Sequence, residues 1–134
     1  MSNDLKDYKK AFDDIPGTRV FTTERARQGY WLNQFCMTLM KPDNRKKWLE
    51  NEEAYLADWK ITPEQKDALL ARDYNRLLDL GGNIYYLAKV FSTDGLSFVQ
   101  AVSTMTGMNV DDYKSMMDAG GRSPKGVRSI KDGT

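Results

Sequence analysis

Residues 62–82 read TPEQKDALLARDYNRLLDLGG, and this stretch decides the fold class. Thr62 can cap a helix, Pro63 has the φ a first turn needs, and Gln65 stands where a capping box requires it. Ala68, Leu69, Leu77 and Leu78 then supply an apolar face at helical spacing, and Gly81-Gly82 permits a left-handed close. The same grammar extends to both sides. Downstream, Asn83 caps a helix to about Phe91, with Ile84, Leu87, Ala88 and Phe91 on one side, and Ser92-Thr93-Asp94-Gly95 is a turn. Phe98, Val99, Ala101, Val102 and Met105 mark a short buried helix that Gly107 breaks. Asn109 caps a last helix holding Val110, Tyr113, Met116 and Met117, which Gly120-Gly121 ends. Upstream, a helix starts after Thr22 or Thr23 and runs to about Met40. Pro42 opens the next, with Trp48 and Leu49, and Tyr55, Leu56 and Trp59 follow a break near Asn51. Only Arg19-Val20-Phe21 and Tyr85-Tyr86 hint at strand. The expectation is an all-α chain, a single compact multi-helix domain over residues 1–134. Within it, residues 1–12 form an arm, 13–120 the helical body and 121–134 an extended tail. Pro16-Gly17 gives the body an irregular N-terminal loop.

Composition narrows the chemistry. The 134 residues include no histidine, which removes the commonest general base near neutral pH and the commonest metal ligand. Cys36 is the one cysteine, too few for an intrachain disulfide or a thiolate zinc site. By itself the polypeptide is a poor metalloenzyme or hydrolase. A net charge of +1 gives no basic excess for nucleic acid. Apolar runs fall well short of the ~20 residues that cross a bilayer, so no membrane partner is expected. The polar first ten residues resemble no export signal, and with no disulfide framework the cytoplasm is the expected compartment.

Candidate chemistry on the residues themselves is thin. Asp13-Asp14 and Asp111-Asp112 are adjacent carboxylates, and neighbours on a helix point roughly 100° apart, so neither pair makes a clean acid/base dyad. Asp111-Asp112 instead suits a helix N-terminus. Gly121 to Gly126 (GRSPKG) lacks the phosphate-loop spacing. Arg122, Lys125, Arg128 and Lys131 recur through the tail, either as a solvated segment or as an arm for an acidic partner. Four of seven methionines fall at Met105, Met108, Met116 and Met117, near Phe98. Methionine fills irregular cores and also grips partners. Composition alone therefore ends at a helical interaction subunit or adaptor.

The punctuated segments, taken in order, point further. Asp13 to Thr22 (DDIPGTRVFT), Arg72-Asp73-Tyr74-Asn75, Gly81-Gly82-Asn83-Ile84-Tyr85, Ser92-Thr93-Asp94-Gly95, Met105-Thr106-Gly107-Met108 and residues 120–124 (GGRSP) resemble the small α subunits of the protocatechuate 4,5-dioxygenase family. Gly29-Tyr30, Leu32-Asn33-Gln34-Phe35 and Leu39-Met40-Lys41 join the resemblance, which spans residues 13–129. Gallate and aminophenol extradiol dioxygenases have similar small chains or domains. The resemblance implies a heteromer, usually α2β2, in which the large β subunit holds Fe(II) on two histidines and a glutamate. It implies that protocatechuate and O2 meet at that iron. The ring opens at the 4,5 bond to 4-carboxy-2-hydroxymuconate semialdehyde, a step in the bacterial degradation of lignin-derived aromatics. The α subunit would cover the mouth of the site and be inactive alone. A two-His-one-carboxylate centre is a familiar iron site for oxygen chemistry, and this chain has no histidine to give it.

The resemblance also assigns residues. Phe98 matches an aromatic near the substrate mouth, with Leu96, Met105, Thr106, Gly107 and Met108 shaping that wall. Pro16 and Arg19 in the N-terminal loop, with Arg122, Ser123 and Pro124 in the tail, are the expected grips on the β subunit. Three positions depart from the family. Leu96 stands where some members have lysine, removing a charge from the rim, and Trp31 and Cys36 are bulkier than usual, which predicts a repacked core.

Overall fold

A computed structural model describes residues 21–121; the N-terminal loop and the tail lie outside them. Nine α-helices and no strand occur among the described residues. They are α1 (Thr23–Gln28), α2 (Tyr30–Thr38), α3 (Pro42–Glu50), α4 (Glu52–Ala57), α5 (Pro63–Ala71), α6 (Tyr74–Asp79), α7 (Ile84–Thr93), α8 (Phe98–Thr106) and α9 (Val110–Asp118). The chain is all-α, and Tyr85-Tyr86 lies in α7.

The predicted caps are in place. Thr62 and Gln65 form the box that starts α5, with Gln65 N donating to Thr62 Oγ1 at 3.1 Å and Thr62 N to Gln65 Oε1 at 3.1 Å. Asn51, Asn83 and Asn109 cap α4, α7 and α9. Ser97 and Gln100 build a second box at α8.

Two long helices of the sequence reading are each divided. The first breaks at Gly29, between α1 and α2, because backbone packs on backbone there: a Cβ at Gly29 would overlap the Gly81 carbonyl oxygen and lie 2.9 Å from the Gly81 Cα. Asn33 rivets the contact. Its Nδ2 donates to Gly81 O at 3.1 Å, and its Oδ1 accepts from Asn83 N at 3.0 Å. The second breaks at Arg72, which adopts a left-handed conformation (φ 55°) so that the chain reverses, and Asp73 recaps it by accepting from Arg76 N. Contacts with distant elements, backbone at Gly29 and side-chain at Arg72, override helix propensity at both places.

The core gathers Leu32, Phe35, Cys36 and Leu39 of α2 around Leu87, Val90 and Phe91 of α7. Trp48, Leu56, Ala68, Leu69, Tyr74, Leu77 and Ala101 close the cluster. Burying each large side chain is worth about 1.5–3 kcal/mol. Phe35 meets Trp48 edge-on at 5.0 Å and Tyr55 at 5.7 Å. Gln65 is the core's polar tie: its Nε2 donates to Gln28 O and Leu80 O, joining the ends of α1 and α6. Cys36 is fully buried, as expected of a core position, whereas Trp31 is 41% exposed. The reading of Trp31 as a core residue is corrected: its ring lies at the surface, 5.0 Å from Tyr30, with the Lys60 ammonium above it.

Candidate functional site

The α7–α8–α9 end of the molecule carries the residues singled out for the mouth. α8 starts at Phe98 and ends at Gly107, whose φ of 72° provides the left-handed cap. Phe98 is 59% exposed, with its ring 6.2 Å from that of Phe91, so it is no core residue. Nor is α8 the buried helix the apolar spacing suggests, since only Ala101 and Ser103 are buried in it. The predicted wall divides by direction. Leu96 and Met105 are half-buried against the core, while Phe98 points outward and Gly107 has open space around it. Thr106 accepts from Met108 N at 3.3 Å and donates to Ser103 O at 2.8 Å, tying the end of α8 to the start of the next loop.

α9 extends the same apolar surface. It buries no residue, packs against α8, and has Val110, Tyr113 and Met116 half-buried and Met117 51% exposed. Asp111 and Asp112 occupy its first turn, where they complement the helix dipole. The apolar side of α9 is therefore only partly covered. Pro16, Arg19, Arg122, Ser123 and Pro124 lie outside the described residues.

Behind α8 sits a cluster that composition did not disclose. Arg72 spends all five of its N–H donors. Nε and Nη2 reach Asp94 at 2.7 and 3.2 Å, Nη1 and Nη2 reach Glu52 at 2.7 and 2.9 Å, and Nη1 also reaches Leu69 O at 2.7 Å. Its guanidinium lies over the Trp48 ring at 5.2 Å. Burial opposes the charge, but the bonds to Asp94 and Glu52 outweigh it and hold Arg72 above its ordinary value. Burial also pushes the Tyr74 phenol to about 12 and the Cys36 thiol to about 12, leaving both protonated at neutral pH. Neither touches the exposed α8 surface.

These residues do not fit a metal. The sequence has no histidine, and the described residues contain no group of three or more Cys, Asp or Glu that could hold an ion. The acids with assigned partners are committed elsewhere: Glu52 and Asp94 to Arg72, Asp73 and Asp112 to helix starts.

Residues 32–118 match the family described as the aromatic-ring-opening dioxygenase LigAB, LigA subunit. The chain belongs to this family. It is also 29% identical over 101 residues to the gallate dioxygenase of Pseudomonas putida, an alignment covering 75% of this chain. The chain spans only 30% of that relative's length. The LigA match takes in the Arg72, Gly81, Asp94 and Met105 motifs, while the loop around Pro16 and the Gly120–Gly121 end fall outside it. Within the LigA region, the motif residues meet in space. Arg72 bonds Asp94, Asn75 bonds the Met105 carbonyl at 2.9 Å, and Asn33 bonds Gly81. Sequence reasoning took these motifs as family markers without seeing that they touch; the left-handed Arg72 left no signal beyond the Asp73 cap that follows it.

Proposed function

We propose that this chain is the small subunit of a two-component extradiol dioxygenase. In this reading it covers the active-site mouth of an iron-bearing β subunit, in an α2β2 assembly, and is inactive alone. Fe(II) on the partner supplies oxygen activation. This chain's residues bind, shape the opening and exclude water, which strengthens electrostatics within a closed site. The observation that carries the proposal is the LigA match across residues 32–118 in a chain without histidine. The exposed Phe98 and the partly covered α9 support the α8–α9 end as the docking face.

The proposed reaction is opening of protocatechuate at the 4,5 bond by O2, giving 4-carboxy-2-hydroxymuconate semialdehyde. A second reading, gallate as substrate, is favoured by the similarity to a gallate dioxygenase. The proposed setting is the cytoplasm and bacterial breakdown of lignin-derived aromatics. Co-expression with the histidine-rich β chain, then co-purification, iron analysis and oxygen uptake with protocatechuate and gallate, tests the whole reading. Co-purification with the β chain, iron retained there and uptake only by the complex is expected. Iron bound by the lone chain, or failure to associate, refutes it and leaves a free-standing helical adaptor.

A further inference from the structure

Arg72, Tyr74 and Asn75, where α5 gives way to α6, grip the α7–α8 unit at three points. Arg72 holds the Asp94 carboxylate at the end of α7, four residues before Phe98. The Tyr74 ring stands edge-on to Phe91 at 5.7 Å, and Phe91 in turn touches Phe98 at 6.2 Å. Asn75 Nδ2 donates to the Met105 carbonyl in the last turn of α8, where helix carbonyls lack an intrahelical partner. The C-terminal end of α8 is thus tied directly to one short segment and its N-terminal end indirectly, through Asp94 and Phe91 of α7, while Phe98 itself is 59% exposed and, among the described residues, makes its ring contact with Phe91. An exposed ring on a pinned helix is held in place through the pins.

We infer that Asn75, together with Arg72, is a positioning residue that sets where the Phe98 ring stands, and so sets discrimination among catechols by their ring substituents. This rests on the reading of Phe98 as a residue of the mouth. Asn75 does not reach the exposed face; it acts through α8. Removing its donor lets the helix end shift and the ring move with it.

The test uses the α–β complex and the ratio of kcat/KM for protocatechuate to that for gallate, with Phe98→Ala, Asn75→Ala, the isosteric Asn75→Asp, and the Phe98→Ala/Asn75→Ala double variant. The Asn75 variants should each change the ratio roughly two- to tenfold, the range one neutral hydrogen bond commands. In the Phe98→Ala background the Asn75 effect should vanish, a non-additivity that loss of stability alone does not produce. If Phe98→Ala changes the ratio while the Asn75 variants leave it unchanged, or change it equally with and without Phe98, the inference falls and the mouth reading stands. If Phe98→Ala itself leaves the ratio unchanged, the mouth reading falls and takes the inference with it.

Discussion

Replacing Gly29 by alanine sets helix propensity against packing, and the two predict opposite signs. Gly29 has φ −94° and ψ 6°, a backbone open to any residue, and it joins two helices. Propensity alone says that alanine there stabilises by about 1 kcal/mol. The structure says otherwise, because the new Cβ would overlap the Gly81 carbonyl, a backbone atom that no rotamer change can move aside. Overpacking costs about 1–3 kcal/mol. Pushing Gly81 away also strains the two Asn33 bonds, worth about 1 kcal/mol each. Net of propensity, Gly29→Ala should destabilise by about 2–4 kcal/mol. Urea unfolding followed by tryptophan fluorescence measures it, with an unchanged slope confirming that stability alone has moved. Gly107 is the control, with φ 72° and nothing within 4 Å of a Cβ. Gly107→Ala should cost about 1–2 kcal/mol through the left-handed backbone, and Gly107→Asn less. A Gly29→Ala protein as stable as wild type would refute the backbone contact.

Three further outcomes follow from the buried groups. Asn33→Ala strips partners from Gly81 O and Asn83 N, so a loss of about 2–4 kcal/mol is expected, and the loss should be sub-additive with Gly29→Ala because both act on Gly81. Tyr74 is raised to about 12, chiefly by burial, so an unfolded chain loses that proton first, near its ordinary 10. Stability should fall as pH rises from about 10 to about 12, by at most about 2.7 kcal/mol. The phenol oxygen has no hydrogen-bond partner among the described residues, so Tyr74→Phe should be nearly neutral at pH 7 and blunt that alkaline loss; equal alkaline loss in the variant would contradict it. Cys36, buried and raised to about 12, should resist Ellman's reagent at pH 8 until urea unfolds the chain, and prompt native labelling would place it at the surface.

How much of this was legible in the sequence depends on whether the cause was local. Caps such as Thr62 with Gln65, and Asn83 and Asn109, are satisfied within three residues of themselves, so the sequence displays them whole. The breaks at Gly29 and Arg72 have causes 52 and 22 residues away, in Gly81 and Asp94, and beyond the Asp73 cap nothing nearby announces them. Direction was the other blind spot. Phe98 and Trp31 lie in apolar surroundings yet face outward, because α8 and α2 each present more apolar surface than their neighbours cover. Spacing shows that a residue shares an apolar arc; which neighbour covers that arc is decided by tertiary packing.

The motifs that made the family recognisable are joints rather than reagents. Arg72 with Asp94, Asn75 with Met105, and Asn33 with Gly81 each connect segments at least 22 residues apart, and none of these side chains belongs to the exposed α8 surface. A chain with no histidine and no metal-holding cluster among its described residues offers little reactive chemistry for a motif to mark. On the proposed reading, what its sequence specifies instead is shape: the pose of α8 and α9 at the docking face. Polar joints suit that task, since each needs a particular partner at a particular angle, whereas apolar contacts tolerate sliding. The joints fix the scaffold, and Leu96, proposed for the wall, sits beside it, half-buried at the foot of Phe98's helix. Leu96→Lys should therefore probe this division. A lysine there can carry its charge out along its stem, so stability should drop by no more than about 1–2 kcal/mol while preference between catechols of different charge shifts. Unfolding of the variant, or no change in preference, would show that position 96 belongs to the scaffold after all.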